Sequence, residues 1–427
     1  MKRIVVSCAP AGTGRGSNLG MNTVDYAMHN IVQQSGLSDK VELYRPWPSY
    51  VPDKNGNFPE YFPRDIFPMK FNYSYAQVGG ENKKDALIYW GDFQHGKDYH
   101  LQSSKRLGSI LSMQGIKETA ENCLDLTRKY FLLQDNFEEK SLPFKIGIYG
   151  GTLFQNNIKD YLQKSYIENL KWLYNSAAFV KVRDVYSANM VNYLRDNYEN
   201  NYLGVDAALL NKKEELLALP KLSPQEFESY QGAIGIYFGR STKSFPTQST
   251  VRFINELSMK MNTNIVNIPW GYFSSGLFSF SMGRFSEFLI RNYTTFKNVE
   301  FTPGDILEGM SQLQLIITDT YHVVINAIVL GIPAICIYEP SPLDLRNANM
   351  GYAQSWRDKR VLFYLANNLS DYLVASTSIT DKKYRALKVN HILSILQEQN
   401  HNIAAYQNLL KTAQLHREKI GSFLNSI

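Results

Sequence analysis

Residues 315–338 read LIITDTYHVVINAIVLGIPAICIY, and this stretch indicates the fold. Its first four residues, Leu315 to Thr318, are typical of a short buried strand. The apolar run after them predicts a helix of about ten residues, which Gly331 and Pro333 would end. A second apolar strand, Ala334 to Tyr338, follows. A strand, a helix and a strand in succession predict two parallel strands joined by a crossover helix.

The same alternation extends over most of the chain. Near the start, the apolar residues between Thr23 and Gln34 recur at helical spacing, and Gly36 follows them. Short apolar runs on either side predict further buried strands. These are Ile4 to Ala9, Val41 to Tyr44, Asp85 to Trp90, Phe144 to Tyr149, Ala177 to Val182, Asn201 to Val205, Ala233 to Phe238, Ile265 to Pro269 and Val299 to Phe301.

A chain of 427 residues is too long for one ordinary hydrophobic core. We expect an α/β protein with a Rossmann-like domain over residues 1–212, a charged linker over 213–232 and a second Rossmann-like domain over 233–380. Residues 381–427 have helical spacing and should pack back across the junction. Two such domains facing each other across a cleft, with a C-terminal helical tail, describe the GT-B type. Residues 45–80 are rich in proline and aromatic side chains and predict a long loop over the cleft.

Composition restricts the classes of function. The net charge is +6, and no run of five lysines or arginines occurs, which argues against a nucleic-acid partner. The three cysteines are widely spaced and predict neither a disulfide framework nor a zinc site, and the seven histidines are scattered, so we expect no metal. We expect a cytoplasmic protein, with at most peripheral contact at the inner face of the membrane. The oligomeric state stays open, a homo-oligomer included.

The junction after Leu315–Thr318 is the first candidate site. Thr318, Asp319 and Thr320 are residue types that favour helix N-caps, which places Tyr321 and His322 in the first helical turn. A helix N-terminus at the carboxyl end of a strand can bind an anion, and a neutral imidazole there can act as a general acid or base. The alternative is a capped helix whose histidine satisfies a buried carbonyl.

The second candidate site follows the strand Ala233 to Phe238. Arg240 stands just beyond Gly239 and is followed by Ser241 and Lys243. A planar guanidinium at this position can hold a phosphate or carboxylate through two parallel hydrogen bonds. The alternative is an ordinary surface arginine in a polar loop.

Two junctions in the first half complete the candidates. Residues 12–20 are glycine-rich but lack the spacing of a dinucleotide-binding loop, and no Walker A sequence occurs. Arg183 and Asp184 follow a predicted strand and could form an ion pair that shapes the junction, with Asp206 further along.

Taken in order, these junctions resemble the polysaccharide pyruvyl transferase superfamily, from about residue 16 to residue 340. The last stretch is the most specific. The matching stretches are Asn18-Leu19-Gly20, Arg183-Asp184 with Ser187, Asp206-Ala207-Ala208, Arg240, and Thr320-Tyr321-His322 through Gly331-Ile332-Pro333.

The resemblance implies transfer of a pyruvyl group from phosphoenolpyruvate, with no further cofactor, to two hydroxyls of a sugar or lipid-linked glycan, as in exopolysaccharide biosynthesis. Arg240 would hold the donor's phosphate or carboxylate, and His322 would transfer protons. The donor would also contact the residues around them, and the acceptor a loop in the first half. These residues are Thr318, Asp319, Thr320, Tyr321, Ser241 and Lys243 on the donor side, and Ser17, Asn18, Gly20 and Asn22 on the acceptor side.

Two positions depart from the family's pattern. Met21 stands where the family often has Asp, and Thr320 stands where donor-using members often have Arg. Two other functions therefore stay open. One is a nucleotide-sugar glycosyltransferase of the same fold, in which Glu339 would bind a ribose. The other is a glycan-binding homologue that has lost the donor chemistry.

Overall fold

The computed structural model describes most of the chain. The described residues are 1–8, 19–47, 72–77, 84–91, 115–117, 119, 121–122, 125, 128, 132–139, 141–153, 164–198, 201–239, 247–270, 293–294, 301–340, 358–398 and 400–427.

The first half forms a parallel sheet of six strands. Their order is β3-β2-β1-β4-β5-β6, so the direction of the connections reverses between β1 and β4. Ligands of open parallel sheets bind at such a switch point, outside the carboxyl ends of the strands. The elements are β1 (Lys2–Ser7), α1 (Leu19–Gln34), β2 (Val41–Trp47), β3 (Asn72–Gln77), β4 (Ala86–Trp90), β5 (Lys145–Tyr149), α2 (Lys164–Ser176), β6 (Phe179–Lys181) and α3 (Val185–Arg195).

A short helix, α4 (Lys213–Leu217), leads to a second sheet of the same topology. Its order is β9-β8-β7-β10-β11-β12, again parallel, with the switch point between β7 and β10. The elements are β7 (Ile234–Tyr237), α5 (Gln248–Met261), β8 (Ile265–Asn267), β9 (Tyr293–Thr294), α6 (Pro303–Ser311), β10 (Leu315–Thr318), α7 (Tyr321–Leu330), β11 (Ala334–Tyr338), α8 (Lys359–Ala366) and β12 (Leu373–Ala375).

The unit β10-α7-β11 has the bounds that its sequence predicts. All four residues of β10 and all ten residues of α7 are buried, which explains why apolar residues occur on every face of α7 rather than on one. Gly331 ends α7 in the left-handed conformation, with φ of 80°, where a residue with a Cβ would be strained.

Two helices, α9 (Lys382–Gln397) and α10 (Asn400–Ser426), form the C-terminal tail. The hydroxyl of Tyr406 on α10 accepts a hydrogen bond from the backbone N–H of Ala334 in the second sheet. Near the other end of α10, the ring of Phe423 stacks on Phe179 of the first sheet, with 5.6 Å between centroids. The tail therefore contacts both halves, and two Rossmann-like sheets joined in this way form the GT-B architecture. No described helix has the length and apolar character needed to cross a membrane.

Two sequence expectations about strands need correction, and a third lies mostly outside the described residues. Asn201 to Val205 is not a strand: Leu203 makes a single bridge to Val182, and the chain then turns into a short 3₁₀ helix capped by Asp206. The predicted long loop over 45–80 contains β3 and the end of β2, because an edge strand need not be apolar. The strand expected at Val299 to Phe301 falls mostly outside the described residues, and Phe301 itself is not in a strand.

Candidate functional site

The ends of β7 and β10 are fastened together at the second switch point. The hydroxyl of Thr318 donates to the carbonyl of Tyr237 at 2.6 Å, and the Asp319 carboxylate accepts from the backbone N–H of Gly239 at 2.9 Å. Both residues are buried. Thr318 and Asp319 therefore fix the segment that leads into residue 240.

Thr320 is the N-cap residue of α7, but its side chain does not cap the helix. Its hydroxyl donates to the Asp319 carboxylate at 2.9 Å, and its backbone N–H donates to the Thr318 hydroxyl at 3.0 Å. The turn is thus held by its own polar side chains. His322 is the second residue of α7, in the first helical turn as the sequence predicts.

Helix α1 of the first half packs directly on the start of α7. A Cβ placed on Gly20 would overlap the Cβ of His322 and lie within 2.5 Å of its Cγ and Nδ1. One turn further along, the Asn326 amide donates to the Thr23 hydroxyl at 3.1 Å and to the carbonyl of His322 at 2.8 Å. His322 is only 7% exposed. The imidazole therefore lies in the seam between the two halves.

The acceptor-side loop predicted from the sequence is partly helical. Gly20 and Asn22 belong to the first turn of α1, which begins at Leu19, four residues before the predicted start. The early start has a packing reason, since Leu19 and Met21 are buried in the core and Asn22 is fully buried. The absence of a side chain on Gly20 lets α7 pack closely against α1, so this glycine has a packing role rather than a role in a loop.

Two positive side chains, one from each half, contact the ring of Tyr321. The guanidinium carbon of Arg183 lies 5.2 Å from the ring centroid, and Nζ of Lys359 lies 4.9 Å from it. The His322 and Phe363 rings pack edge-on against the same tyrosine, at 5.4 and 5.6 Å. Tyr321 thus joins the first sheet's carboxyl edge to α8.

Sequence reasoning missed Lys359 and Arg360, the first two residues of α8. Arg360 is buried, and its guanidinium bonds both oxygens of Asp358 and the carbonyl of Asp319, the last at 2.8 Å. Burial disfavours its charge, but the Asp358 carboxylate outweighs burial, so the pKa of Arg360 is raised. The sequence did contain a signal for the start of this helix: Asp358 is a residue type that favours helix N-caps, and an apolar run follows it.

The sequence suggested an ion pair between Arg183 and the adjacent Asp184, but the structure does not contain this pair. Arg183 forms an ion pair with Asp206 at 3.0 Å, in which both side chains are almost fully buried. Asp184 instead caps α3, accepting hydrogen bonds from the backbone N–H and the hydroxyl of Ser187. The reason is geometric, because a carboxylate at the N-cap points to the helix and away from the preceding side chain.

Several predicted site residues lie outside the described part of the chain. The expected meeting of Arg240 with His322 accordingly stays a prediction. The residues concerned are Ser17, Asn18, Arg240, Ser241 and Lys243. Within the described residues, no group of three or more histidine, cysteine, aspartate or glutamate side chains could hold a metal ion.

Groups that can stabilise negative charge lie at the start of α7, beside the Asp319 carboxylate. A helix N-terminus with no side-chain cap, an imidazole on its first turn and the ammonium of Lys359 lie around one turn of chain. Backbone N–H groups at a helix start and nearby cations both stabilise negative charge. An imidazole in the same place can transfer a proton to or from a bound molecule.

Several solved structures are similar to the whole chain at low sequence identity. A UDP-GlcNAc 2-epimerase from Neisseria meningitidis is 11% identical, with a TM-score of 0.48, and the match covers 96% of this chain and 99% of that one. The UDP-GlcNAc 2-epimerase from Methanocaldococcus jannaschii is 12% identical, with a TM-score of 0.44, and the match covers 91% of this chain and 92% of that one. The E. coli heptosyltransferase WaaC with ADP is 9% identical, with a TM-score of 0.40, and the match covers 94% of this chain and 99% of that one. No curated protein sequence matches at a significant level.

The sequence model of one protein family matches the chain. It is described as polysaccharide pyruvyl transferase, and it matches residues 121–341, which is just over half of the 427 residues. The matched segment contains the Arg183–Asp206 pair, β7 and its carboxyl end, and the whole of β10-α7-β11. The chain therefore belongs to the polysaccharide pyruvyl transferase family.

Proposed function

We propose that this protein modifies a polysaccharide or its precursor by transferring a pyruvyl group from phosphoenolpyruvate to two hydroxyls of one sugar. The observation that carries the proposal is the position of His322. It lies inside the segment matched by the family model, on the first turn of a helix at a sheet's switch point, and against the opposite half of the molecule.

The donor would bind on the α7 side of the seam. Phosphoenolpyruvate carries a phosphate and a carboxylate, and the start of α7 offers partial positive charge to either group. Gly239 is tied to Asp319, so the chain leaves β7 beside this helix start. In the proposal Arg240, Ser241 and Lys243 hold one of the two anionic groups, and the turn Thr318–Tyr321 holds the other.

The reaction needs proton transfer at defined atoms. A proton added to the donor's methylene carbon creates positive charge on the central carbon, which the first sugar hydroxyl attacks. Phosphate leaves with its bonding electrons, and the second hydroxyl then attacks the same carbon to close the ketal. The two hydroxyls release two protons: one balances the proton gained by carbon, and the other leaves with phosphate. His322 would supply or accept one of these protons.

The acceptor would bind on the α1 side of the seam, near Asn18, Ser17 and Asn22. A sugar or lipid-linked glycan supplies the paired hydroxyls, and a lipid-linked acceptor would place the protein at the inner face of the membrane. Because Gly20 covers His322 in this structure, α1 and α7 must separate for a sugar to reach the imidazole. The hydrogen bond from the Asn326 amide to the Thr23 hydroxyl would break in this movement.

The proposal is tested by incubating the full chain with phosphoenolpyruvate and a panel of aryl hexosides. We expect acceptor-dependent phosphate release and, by mass spectrometry, a sugar that has gained a carboxyethylidene group. His322→Gln should lower kcat by about a hundredfold or more, as expected for loss of a general acid–base group. The matched control is His391→Gln, since His391 is half-exposed on α9 and pairs with Asp371 away from the seam.

Two outcomes would overturn the proposal. One is full activity of His322→Gln. The other is a rise in melting temperature with nucleotide sugars and none with phosphoenolpyruvate, because a cognate ligand stabilises the folded state.

A further inference from the structure

We propose that Asn326 binds two hydroxyls of the acceptor sugar when the seam between α1 and α7 opens. This inference rests on the proposed function, which places the acceptor in that seam. It adds a residue that recognises the sugar through its neutral side-chain amide.

The first argument is the position of Asn326 on α7. It lies four residues after His322, and side chains at this spacing share one face of a helix, with about 5–6 Å between their Cβ atoms. The Asn326 amide nitrogen donates to the Thr23 hydroxyl of α1 at 3.1 Å, so this face of α7 is turned toward the first half. A molecule bound to Asn326 would accordingly lie beside the imidazole.

The second argument is an oxygen atom without a partner. Asn326 is 0% exposed, and its Oδ1 makes no hydrogen bond in the described part of the chain. The orientation of the amide is fixed, because its nitrogen also donates to the backbone carbonyl of His322 at 2.8 Å, and an oxygen could not take that place. A buried acceptor without a donor lowers the stability of the folded state. The seam thus contains an acceptor that the hydroxyl of a ligand can satisfy.

The third argument is that the Asn326 nitrogen already binds a hydroxyl. The Thr23 hydroxyl accepts from this nitrogen and donates its own proton to the carbonyl of Gly20 at 2.9 Å, so it has no proton for Oδ1. A sugar offers the same chemical group as Thr23. When α1 and α7 separate, the contact with Thr23 breaks, and the amide can bind one sugar hydroxyl at its nitrogen and a second at Oδ1.

The chemistry of Oδ1 also decides which of the two substrates binds here. An amide oxygen accepts hydrogen bonds and cannot donate them. Phosphoenolpyruvate carries an ionised carboxylate and phosphate, which accept as well, whereas each sugar hydroxyl has a proton to donate. Two neighbouring hydroxyls of one sugar match the two ends of one amide, and they are the groups that the proposed ketal joins. Asn326 therefore belongs to the acceptor side of the site.

The sequence of α7 agrees with a functional reason for this asparagine. The other residues between 323 and 330 are apolar, and asparagine favours caps and turns over helix interiors. A leucine at the same position would favour the helix and leave no polar atom buried. A residue that breaks a local rule at a candidate site is a candidate for function.

The test compares Asn326→Leu, Thr23→Val and Asn169→Leu in the full chain, with phosphoenolpyruvate and an aryl hexoside that the wild type uses. We expect Asn326→Leu to raise the KM for the hexoside by about tenfold or more, as for the loss of two hydrogen bonds, and to leave the KM for phosphoenolpyruvate unchanged.

The two other variants are controls. Thr23→Val loses the same hydrogen bond across the seam but keeps the Asn326 amide, so its KM for the hexoside should not rise. Asn169→Leu replaces another buried asparagine, on α2, which is 4% exposed and whose Nδ2 has no partner among the described residues. If Asn326→Leu does not fold, Asn326→Ala replaces it, because alanine removes the amide without adding bulk.

An unchanged KM for the hexoside in the Asn326 variant would overturn the inference, as would an equal rise in Thr23→Val or Asn169→Leu. Failure of the proposed function looks different: the wild-type chain would neither bind nor consume phosphoenolpyruvate. Saturation-transfer NMR with the panel of aryl hexosides and no donor then tests Asn326 by itself. Binding that is lost in the Asn326 variant supports its role, and equal binding, or none by the wild type, refutes it.

Discussion

Gly20 of the first half lies so close to His322 of the second that no side chain fits between them. The two residues are far apart in sequence, and the neighbouring pair Thr23 and Asn326 is separated by 303 positions. The imidazole proposed to carry the chemistry is thus covered by a helix backbone, and the absence of a Cβ on Gly20 makes that contact possible.

Gly20→Ala should destabilise the protein by about 1–3 kcal/mol, the usual cost of overpacking a buried contact. Alanine is the better helix former, so the overlap with His322 must outweigh this gain for the substitution to destabilise. In a His322→Gly background, which removes the overlapping Cβ, the same substitution should be neutral or stabilising. Denaturant unfolding of the wild type, the two single variants and the double variant measures the coupling free energy between Gly20 and His322. Equal destabilisation by Gly20→Ala in both backgrounds would contradict the close contact between Gly20 and His322.

Arg183→Met should cost about 3–5 kcal/mol, because it leaves the Asp206 carboxylate buried without its ion-pair partner. Arg183 and Asp206 are 4% and 2% exposed, so water cannot replace the lost contact. The double variant Arg183→Met with Asp206→Asn removes the buried charge and keeps an oxygen that can accept from the Ala208 N–H. Chemical denaturation should show it to be more stable than Arg183→Met; a double variant that is less stable would refute the argument.

His416 on α10 should make stability depend on pH. Its ring lies 5.9 Å from that of Tyr149, and burial, then Lys181 and Lys419, lower its pKa to about 4 from the ordinary 6.5. The histidine is neutral in both states above pH 6.5. As the pH falls below 6.5 the unfolded chain binds a proton that the folded chain does not, so stability falls, by about 2 kcal/mol at pH 5.

The variant His416→Gln should lack the pH-dependent loss of stability that comes from His416. The check is the free energy of unfolding at pH 7.5 and pH 5 for both proteins. The wild type should lose more stability than the variant between the two values. Equal losses would show that another group titrates.

Local sequence determined the repeated strands and helices. The unit Leu315–Tyr338 shows this best: its apolar strands, its ten-residue helix and the glycine stop depend on neighbours within a few residues, and all three lie where the pattern predicts. Alternation of such units was also enough to predict the two-sheet architecture. His322 could be placed on the first turn of its helix for the same reason.

The sequence could not determine which side chains meet across the seam. Gly20 was interpreted as part of a loop, Arg183 was paired with its neighbour, and Lys359 and Arg360 were not singled out. Each of these contacts depends on how two sheets and a tail are packed, over separations of tens to hundreds of residues. Periodicity and caps are local signals, whereas the neighbours of a buried side chain are set by which helix faces which, and only the tertiary structure decided that.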